Sequence, residues 1–284
     1  MRSEIIFVQG HVWSMSDLEE RSVALDGAVQ GPALDHKRQC FSFDHHKNCI
    51  RHVTLATCEQ VRDAILLGAD FEGFRIYLND LDADSVLATW LLLNPKRLLA
   101  SKPYDALQRL IHDIGRVDAL GPSYGEEHLL SSWIKPKPTN PQDLSLLHLY
   151  LSYIDRYLEG DLGENPHLRG ESTAVWYDPD DTLQQEKTRK GTAFLYRVAP
   201  YGLLYARAAH DTWSYTVGKR SDFVRFPIPD FLGSLNELEG GNVLWGGGSS
   251  IGGAPRHPNG ARSFLSPNQV LSVFKKFHYL SKKS

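Results

Sequence analysis

The 284-residue sequence is poor in cysteine: Cys40, Cys49 and Cys58 are its 3 cysteines. The number is odd, the spacing is regular and no C-x-x-C pair occurs, so neither a disulfide framework nor a zinc ribbon is expected. A reducing compartment fits that usage. Charge of one sign is not in excess either. The 31 Lys+Arg against 34 Asp+Glu leave a formal −3, which gives no electrostatic footprint for tight nonspecific DNA binding. Long apolar runs are missing. IIFV, near the N-terminus, is too short for a signal peptide, and Val86 to Asn94 falls far below the roughly 20 residues of a membrane span. A soluble, cytoplasmic protein is expected. With 42% hydrophobic and 11% aromatic residues, the chain can bury a real core, and full disorder is excluded. What stands out is histidine, with 12 residues.

The first half alternates short apolar runs with helical patterns. Ile5 to Val8, Ser22 to Leu25, Phe41 to Phe43 and Phe74 to Leu78 read as strands. Cys58 to Leu67, Ser85 to Leu93, Tyr104 to Ile114 and Asp143 to Leu158 carry apolar residues at helical spacing. Strands separated by helices predict an α/β architecture with a parallel sheet. Lys135 to Gln142 (KPKPTNPQ) reads as a surface loop. After Tyr157 the composition turns polar and turn-rich. Beyond that change Gly202 to Ala206, Trp213 to Val217 and Phe223 to Phe226 read as strands, and Asn268 to Phe277 as a closing helix. The reading is therefore two domains: 1–160, α/β; a linker over 161–185; and 186–284, a smaller α+β domain.

Three predicted strands end in acid. VAL runs into Asp26, FSF into Asp44, and RIYL into Asn79 and Asp80, with Asp82 and Asp84 beyond. Ligand sites of open α/β sheets lie at the carboxyl ends of the strands. Several carboxylates delivered there repel one another unless a cation neutralises them. His45 and His46 follow Asp44 and add imidazole to the same edge. Carboxylate plus imidazole without thiolate suits Mn²⁺, Mg²⁺ or Fe²⁺ better than structural zinc. A strand-end Asp can equally start a turn or cap a helix, Asp84 before SVLATWLLL being one case. The repetition at three strand ends favours a shared metal site. Asp35-His36 reads as a polar turn before the next strand.

Phe43-Asp44-His45-His46 resembles the signature of the DHH phosphoesterase superfamily. NDLDADSVLATWLL, from Asn79, is similar to that family's H-x-x-D-x-D element followed by a helix. VALDG resembles its other strand-end Asp, at Asp26. DIGRVDALGP, Asp113 to Pro122, resembles its helix-borne fourth motif, whose Asp maps onto Asp118, with Asp113 as the second choice. The motif order is permuted, because here the D-x-D segment follows the triplet. Asn79 stands where the family has His, and His11 is the imidazole that could replace it. The resemblance spans roughly residues 20 to 122.

That resemblance implies a metal-dependent phosphohydrolase using Mn²⁺ or Mg²⁺, with two ions. Asp26, Asp44, His45, Asp82, Asp84 and Asp118 would be metal ligands, Asp80 a ligand or a hydrogen-bond acceptor to one, and Asp44, His45 and His46 the catalytic group. His46 would face the phosphate or the leaving oxygen. Gly240 to Gly260 holds 8 of the 23 glycines, and WGGGSSIGGAPR within it is similar to the GGGH-x-x-A-A-G loop of the family's associated substrate-binding domain. A tight turn between strands is the structural alternative for such a loop. By the resemblance Gly246, Gly247, Gly248, Ser249, Ser250 and Arg256 would bind substrate, with Ser249 or Ser250 in place of the loop's His and with His257 and Arg262 nearby. The implied substrate is a small nucleotide or short single-stranded nucleic acid, cleaved between the two domains. Trp213, Tyr215 and Trp245 could stack bases, although core positions are the more common role of strand aromatics. The basic tail KKFHYLSKKS reads as a solvated helix end. The competing reading is a noncatalytic nucleotide- or metal-binding module on a degenerate scaffold.

Overall fold

The computed structural model describes residues 3–8, 13–46, 49–50, 53–121, 129–134, 144–163 and 170–282. The chain divides into two compact units, Met1–Leu120 with Tyr124–Pro166, and His167–Ser284 with Gly121–Ser123. His11, Pro122 and the 135–142 loop lie outside the described residues. Among the described residues no helix is long and apolar enough to cross a membrane.

The first unit runs β1 (Ile5–Phe7), β2 (Ser22–Leu25), β3 (Ala33–Asp35), β4 (Cys40–Phe43), α1 (Thr57–Leu66), β5 (Arg75–Leu78), α2 (Ala83–Leu93), α3 (Pro95–Leu99), α4 (Ala106–Leu120), α5 (Leu129–Trp133) and α6 (Leu144–Leu158). The sheet order is β1-β5-β2-β4-β3. The first four strands are mutually parallel, and β3 is an antiparallel edge that the sequence pattern did not reveal. Its three residues are too few to show alternation, and Asp35 at its end turns the chain by accepting the Lys37 and Arg38 amides.

Every residue of β2 is buried, as expected for a central parallel strand covered on both faces. Val23 and Leu25, with Ile76 and Leu78 of β5, pack beneath Val61, Leu87, Leu91, Leu110 and Leu147 from α1, α2, α4 and α6. Ala24 and Tyr77 point the other way, onto Val8, Leu18 and Val29. Each aliphatic side chain so buried contributes about 1.5–3 kcal/mol. Polar ties reinforce the helical layer. Asp155 of α6 accepts both Trp90 Nε1 of α2 (3.1 Å) and Arg97 Nη1 of α3 (2.6 Å).

The second unit holds β6 (Ser172–Tyr177), β7 (Leu183–Thr188), α7 (Thr192–Val198), β8 (Tyr201–Arg207), β9 (Trp213–Lys219), α8 (Ile228–Glu239), β10 (Gly246–Gly247), β11 (Ile251–Gly253) and α9 (Pro267–Ser281). These strands form an antiparallel sheet in the order β10-β11-β9-β8-β6-β7. One face buries Val175, Leu203, Tyr215 and Val217 against Phe231 of α8 and Phe274 of α9. The other packs Ala174, Trp176 and Leu204 against Leu195 and Tyr196 of α7.

Two readings are corrected here. β6 and the start of β7 fall inside 161–185, so the later part of that stretch, from Ser172, belongs to a sheet rather than to a linker. The apolar TAVWY was obscured by polar flanks, and edge strand β7 (LQQEKT) lacks an apolar face of its own. Phe223 to Phe226 is not a strand: Phe226 is buried, Phe223 is exposed, and α8 begins at Ile228. Pro227 and Pro229 lack the N–H groups that a continuing ladder needs.

One contact near the site tests this packing. An added Cβ on Gly115 of α4 would lie 2.6 Å from Glu59 Cγ and 2.8 Å from Glu59 Oε2. Glu59 is buried, and Oε2 accepts the Ala56 amide, so it cannot swing away freely. Helix propensity favours Ala over Gly by about 1 kcal/mol, whereas overpacking costs about 1–3 kcal/mol. Gly115→Ala should therefore lower stability by about 1 kcal/mol in urea unfolding, and a stabilised variant would contradict this packing.

Candidate metal centre

Register sets the first feature of the site. Leu25 pairs with Phe43 on one side and Leu78 on the other, so Asp26, Asp44 and Asn79 emerge together from the carboxyl edge of the sheet. After β2 the chain reverses at once. Ala28 N donates to Leu25 O (3.2 Å), and the central pair Asp26 (φ 49°) and Gly27 (φ 79°) are both left-handed. An Asp-Gly pair suits that turn, because Asp tolerates the left-handed region and Gly adopts it without penalty.

The turn holds Asp26 in a buried pocket. Its Oδ2 accepts Ser85 Oγ (3.0 Å), and its Oδ1 accepts Thr57 Oγ1 (3.3 Å). Oδ1 also lies 3.2 Å from His46 Nδ1 and 3.6 Å from His45 Nε2. Burial works to raise its pKa, but contacts with His45 and His46 outweigh that and hold the carboxyl well below its ordinary range.

Asp44 is fully buried. Its Oδ2 accepts Gly31 N (2.7 Å), and its Oδ1 accepts both the backbone N (3.0 Å) and Nδ1 (3.1 Å) of His46. Burial opposes ionisation here too. The His46 bonds and the Gly31 amide prevail and lower its pKa.

His45 is the centre of the cluster. Its ring is fully buried, and Nε2 faces Asp118 Oδ2 at 2.6 Å, Asp26 Oδ1 at 3.6 Å and Asp84 Oδ2 at 4.0 Å. Neither ring nitrogen has an aligned hydrogen-bond partner, which is rare for a buried polar group. Burial lowers the imidazole's basicity, but the Asp118 and Asp26 carboxylates outweigh it and raise the pKa to about 9.

The two acids of the D-x-D segment divide their work. Asp82 is the N-cap of α2, accepting Ser85 N (2.8 Å). Asp84, two residues further in, braces another helix: its oxygens accept Thr57 N and Cys58 N, each at 2.9 Å, at the start of α1. It does not cap its own helix, as the alternative reading of Asp84 had it. Burial, then repulsion from Asp26, Asp118 and Asp84, raises the Asp82 pKa well above normal. Burial, then Asp118 and Asp26, raises Asp84 to about 7.

The structure thus brings together Asp26, His45 and His46 as one group able to hold a cation, and His45, Asp84 and Asp118 as another. Asp44 adjoins the first through His46, and Asp82 is close enough to be repelled by three of these acids. Asp80 is exposed and accepts the Leu81 amide, and Asp113 pairs with exposed His112, so both stand apart from the two groups. Thr57 and Ser85 were missed from the sequence. Each follows or precedes a chemistry-bearing residue at a helix start, but only the fold turns their hydroxyls onto Asp26.

The glycine-rich segment is a tight hairpin, with Gly246 opposite Gly253 and Gly247 opposite Gly252. Close packing requires some of these glycines, since a Cβ on Gly247 would lie 2.3 Å from Ile251 O, and one on Gly253 2.7 Å from Tyr215 O. Gly248 N donates to Ile251 O (2.8 Å), placing Ser249 and Ser250 at the tip. Gly246, Gly248, Ser249 and Arg256 are exposed. Tyr215 and Trp245 are core residues, and Trp213 is half-buried. No family model, curated protein or solved structure matches this chain.

The electrostatics give a test on stability. Carboxyls with raised native pKa values lose stability for the metal-free fold as pH climbs from about 4, where the unfolded chain ionises, to the folded value. Asp82→Asn keeps an N-cap and removes one charge. It should stabilise the metal-free chain by about 0.5–2 kcal/mol, and more at pH 8 than at pH 5. Asp84→Ala leaves two buried amides without acceptors and should lose about 2 kcal/mol despite relieving repulsion. Thermal unfolding of both variants at the two pH values decides this; an Asp82→Asn chain less stable at pH 8 would refute the repulsion.

Proposed function

We propose that this protein is a divalent-metal-dependent phosphohydrolase acting on phosphodiesters of small nucleotides or short oligonucleotides. The observation that carries this is the buried His45 imidazole, with Asp118, Asp26 and Asp84 oxygens 2.6, 3.6 and 4.0 Å from Nε2. A buried imidazole crowded by mutually repelling carboxylates is a setting that a bound cation would neutralise, and the oxygen and imidazole donors suit Mn²⁺ or Mg²⁺. Asp26, Asp44, His45, Asp82, Asp84 and Asp118 are the proposed ligands, for two ions. When bound, such ions supply a nucleophilic water at neutral pH and neutralise charge on the phosphoryl oxygens.

The protein's own groups do the rest. Asp44 fixes His46 through both its backbone N–H and Nδ1, and Asp26 adds a second carboxylate to Nδ1. Held this way, the ring is oriented through Nδ1, and Nε2 is the nitrogen left to exchange a proton with the leaving oxygen. Thr57 and Ser85 keep Asp26 oriented while its neighbours change charge. The balanced net charge of −3 favours short substrates over long DNA, which calls for a basic groove.

A second reading rests on Asn79. A Cβ on Gly27 would lie 3.6 Å from its Nδ2, so a neutral amide flanks the Asp26 turn at the position where the resembled motif carries His. A noncatalytic metal- or nucleotide-binding module would accept that exchange.

The test couples metal analysis to a panel of pyrophosphate, dinucleotides, cyclic dinucleotides and short single strands. Manganese- or magnesium-dependent turnover is expected, abolished in Asp44→Asn and Asp82→Asn. His46→Gln should slow it by about 10²–10⁴-fold. Unchanged turnover in Asp44→Asn would overturn the assignment. Metal and nucleotide binding without turnover on any member would establish the second reading. Metal uptake should also release protons and weaken as pH falls below about 7, where Asp84 and His45 retain theirs. Proton release measured on metal addition checks the sign.

A further inference from the structure

At the end of β9 the second unit holds a cavity of about 460 Å³, a size that suits a small organic molecule. Its walls come from Lys219, the loop between β9 and α8, Asp230 of α8 and the last turns of α9. Packing fixes the apolar side. Phe226 is buried, its ring stacked on Tyr201 at 4.5 Å and set against Phe274 at 5.5 Å. Phe277 of α9 meets Phe231 of α8 edge-on at 5.7 Å. Half-exposed Leu280 completes that wall. A polar chain holds the end of α9 in place: His278 Nδ1 meets the Tyr201 hydroxyl (2.6 Å), and Nε2 lies 2.5 Å from Asp181 Oδ1 in the turn between β6 and β7.

The polar side is built on Lys219, which is nine-tenths buried, an uncommon setting for lysine. Its Nζ donates to Val224 O (3.2 Å) and lies 3.4 Å from Asp222 Oδ1. An ammonium has three N–H groups, and among the described residues the third finds no acceptor. An acceptor placed in the cavity that Lys219 lines would complete the set. Arg225 adds a second cation to this lining, and Asp222 and Asp230 add two anions, so its charges cancel in pairs. A ligand of one sign would upset that cancellation. A molecule with one charge of each sign preserves it and meets a complement at both ends.

We propose that this cavity binds a free amino acid with an apolar side chain. The carboxylate meets Lys219 and Arg225, the ammonium meets Asp230, and the side chain lies against Phe226, Phe277 and Leu280. Charge-assisted hydrogen bonds at the two ends give orientation, and the aromatic wall gives selectivity for an apolar body. Every residue of the site belongs to the second unit, and its occupancy does not depend on the hydrolase reading.

The test is calorimetry on the full chain. L-leucine and L-phenylalanine are titrated beside three analogues: leucinamide, which lacks the carboxylate, isocaproate, which is leucine without its ammonium, and glycine, which lacks the side chain. At least one of the two amino acids is expected to bind about tenfold tighter than each analogue. Lys219→Met keeps the buried stem and removes the charge, and should weaken leucine binding by about tenfold or more. Asp230→Asn, at an exposed position, should erase most of the preference for leucine over isocaproate. Circular dichroism checks that each variant is folded. Should Lys219→Met fail to fold, Arg225→Gln, also exposed, takes its place with the same expected loss. The proposal is overturned if neither amino acid binds at millimolar concentration, or if leucinamide, isocaproate or glycine binds as tightly as both. Leucine binding left unchanged in any of these folded variants overturns it equally.

Discussion

Burying charge is expensive, and among the described residues the first unit concentrates it around a desolvated imidazole surrounded by carboxylates. The attraction of His45 for Asp26 and Asp118 holds part of the cluster ionised, while Asp82 and Asp84 are pushed toward their protonated forms by the same neighbours. Much of the local architecture follows from containing that conflict. The Asp26-Gly27 turn is left-handed at both residues, Thr57 and Ser85 aim hydroxyls at Asp26, and Asp84 is spread across the two first amides of α1. Each of these ties gives a buried polar group the partner that burial demands.

The helix termini are used in a way that links stability to the site. Asp82 and Asp84 are two residues apart on α2, yet one secures its own helix and the other secures α1. Carboxylates at helix N-termini interact favourably with the helix dipole, which offsets part of their mutual repulsion. Glu59 in the first turn of α1 and Gly115 on α4 extend the contact to the helix that carries Asp118. A change in any of these packing residues therefore reaches the acids without touching them directly.

The second unit solves a different problem. Its glycines are divided between those that packing demands, such as Gly247 and Gly253, and those that stand open, such as Gly246 and Gly248. Packing explains the first kind without any ligand.

Period and boundary residues made most of the first unit legible. β2 was read at its observed limits, and α1, α2 and α6 within two residues of theirs, because their apolar spacing is unbroken. Asp26, Asp44, His45 and Asp118 were picked as a set from short motifs, and of the two acids weighed on α4 it is Asp118 that lies against His45, while Asp113 pairs with His112. Edge strands β3 and β7 and the short helices α3, α5 and α7 were not found, because they carry little periodicity and take their stability from neighbours; β6 was hidden by its polar flanks, and α8 follows a stretch read as a strand. The sequence by itself determined which residues could carry charge to a strand end and which helices would cover the sheet, since both depend on local spacing. Only the tertiary structure decided that β2, β4 and β5 are adjacent and in register, that Asp84 braces α1, and that Thr57 and Ser85 meet Asp26. Those facts depend on pairing between distant segments, and pairing across 31 or 59 residues leaves no mark in a local pattern.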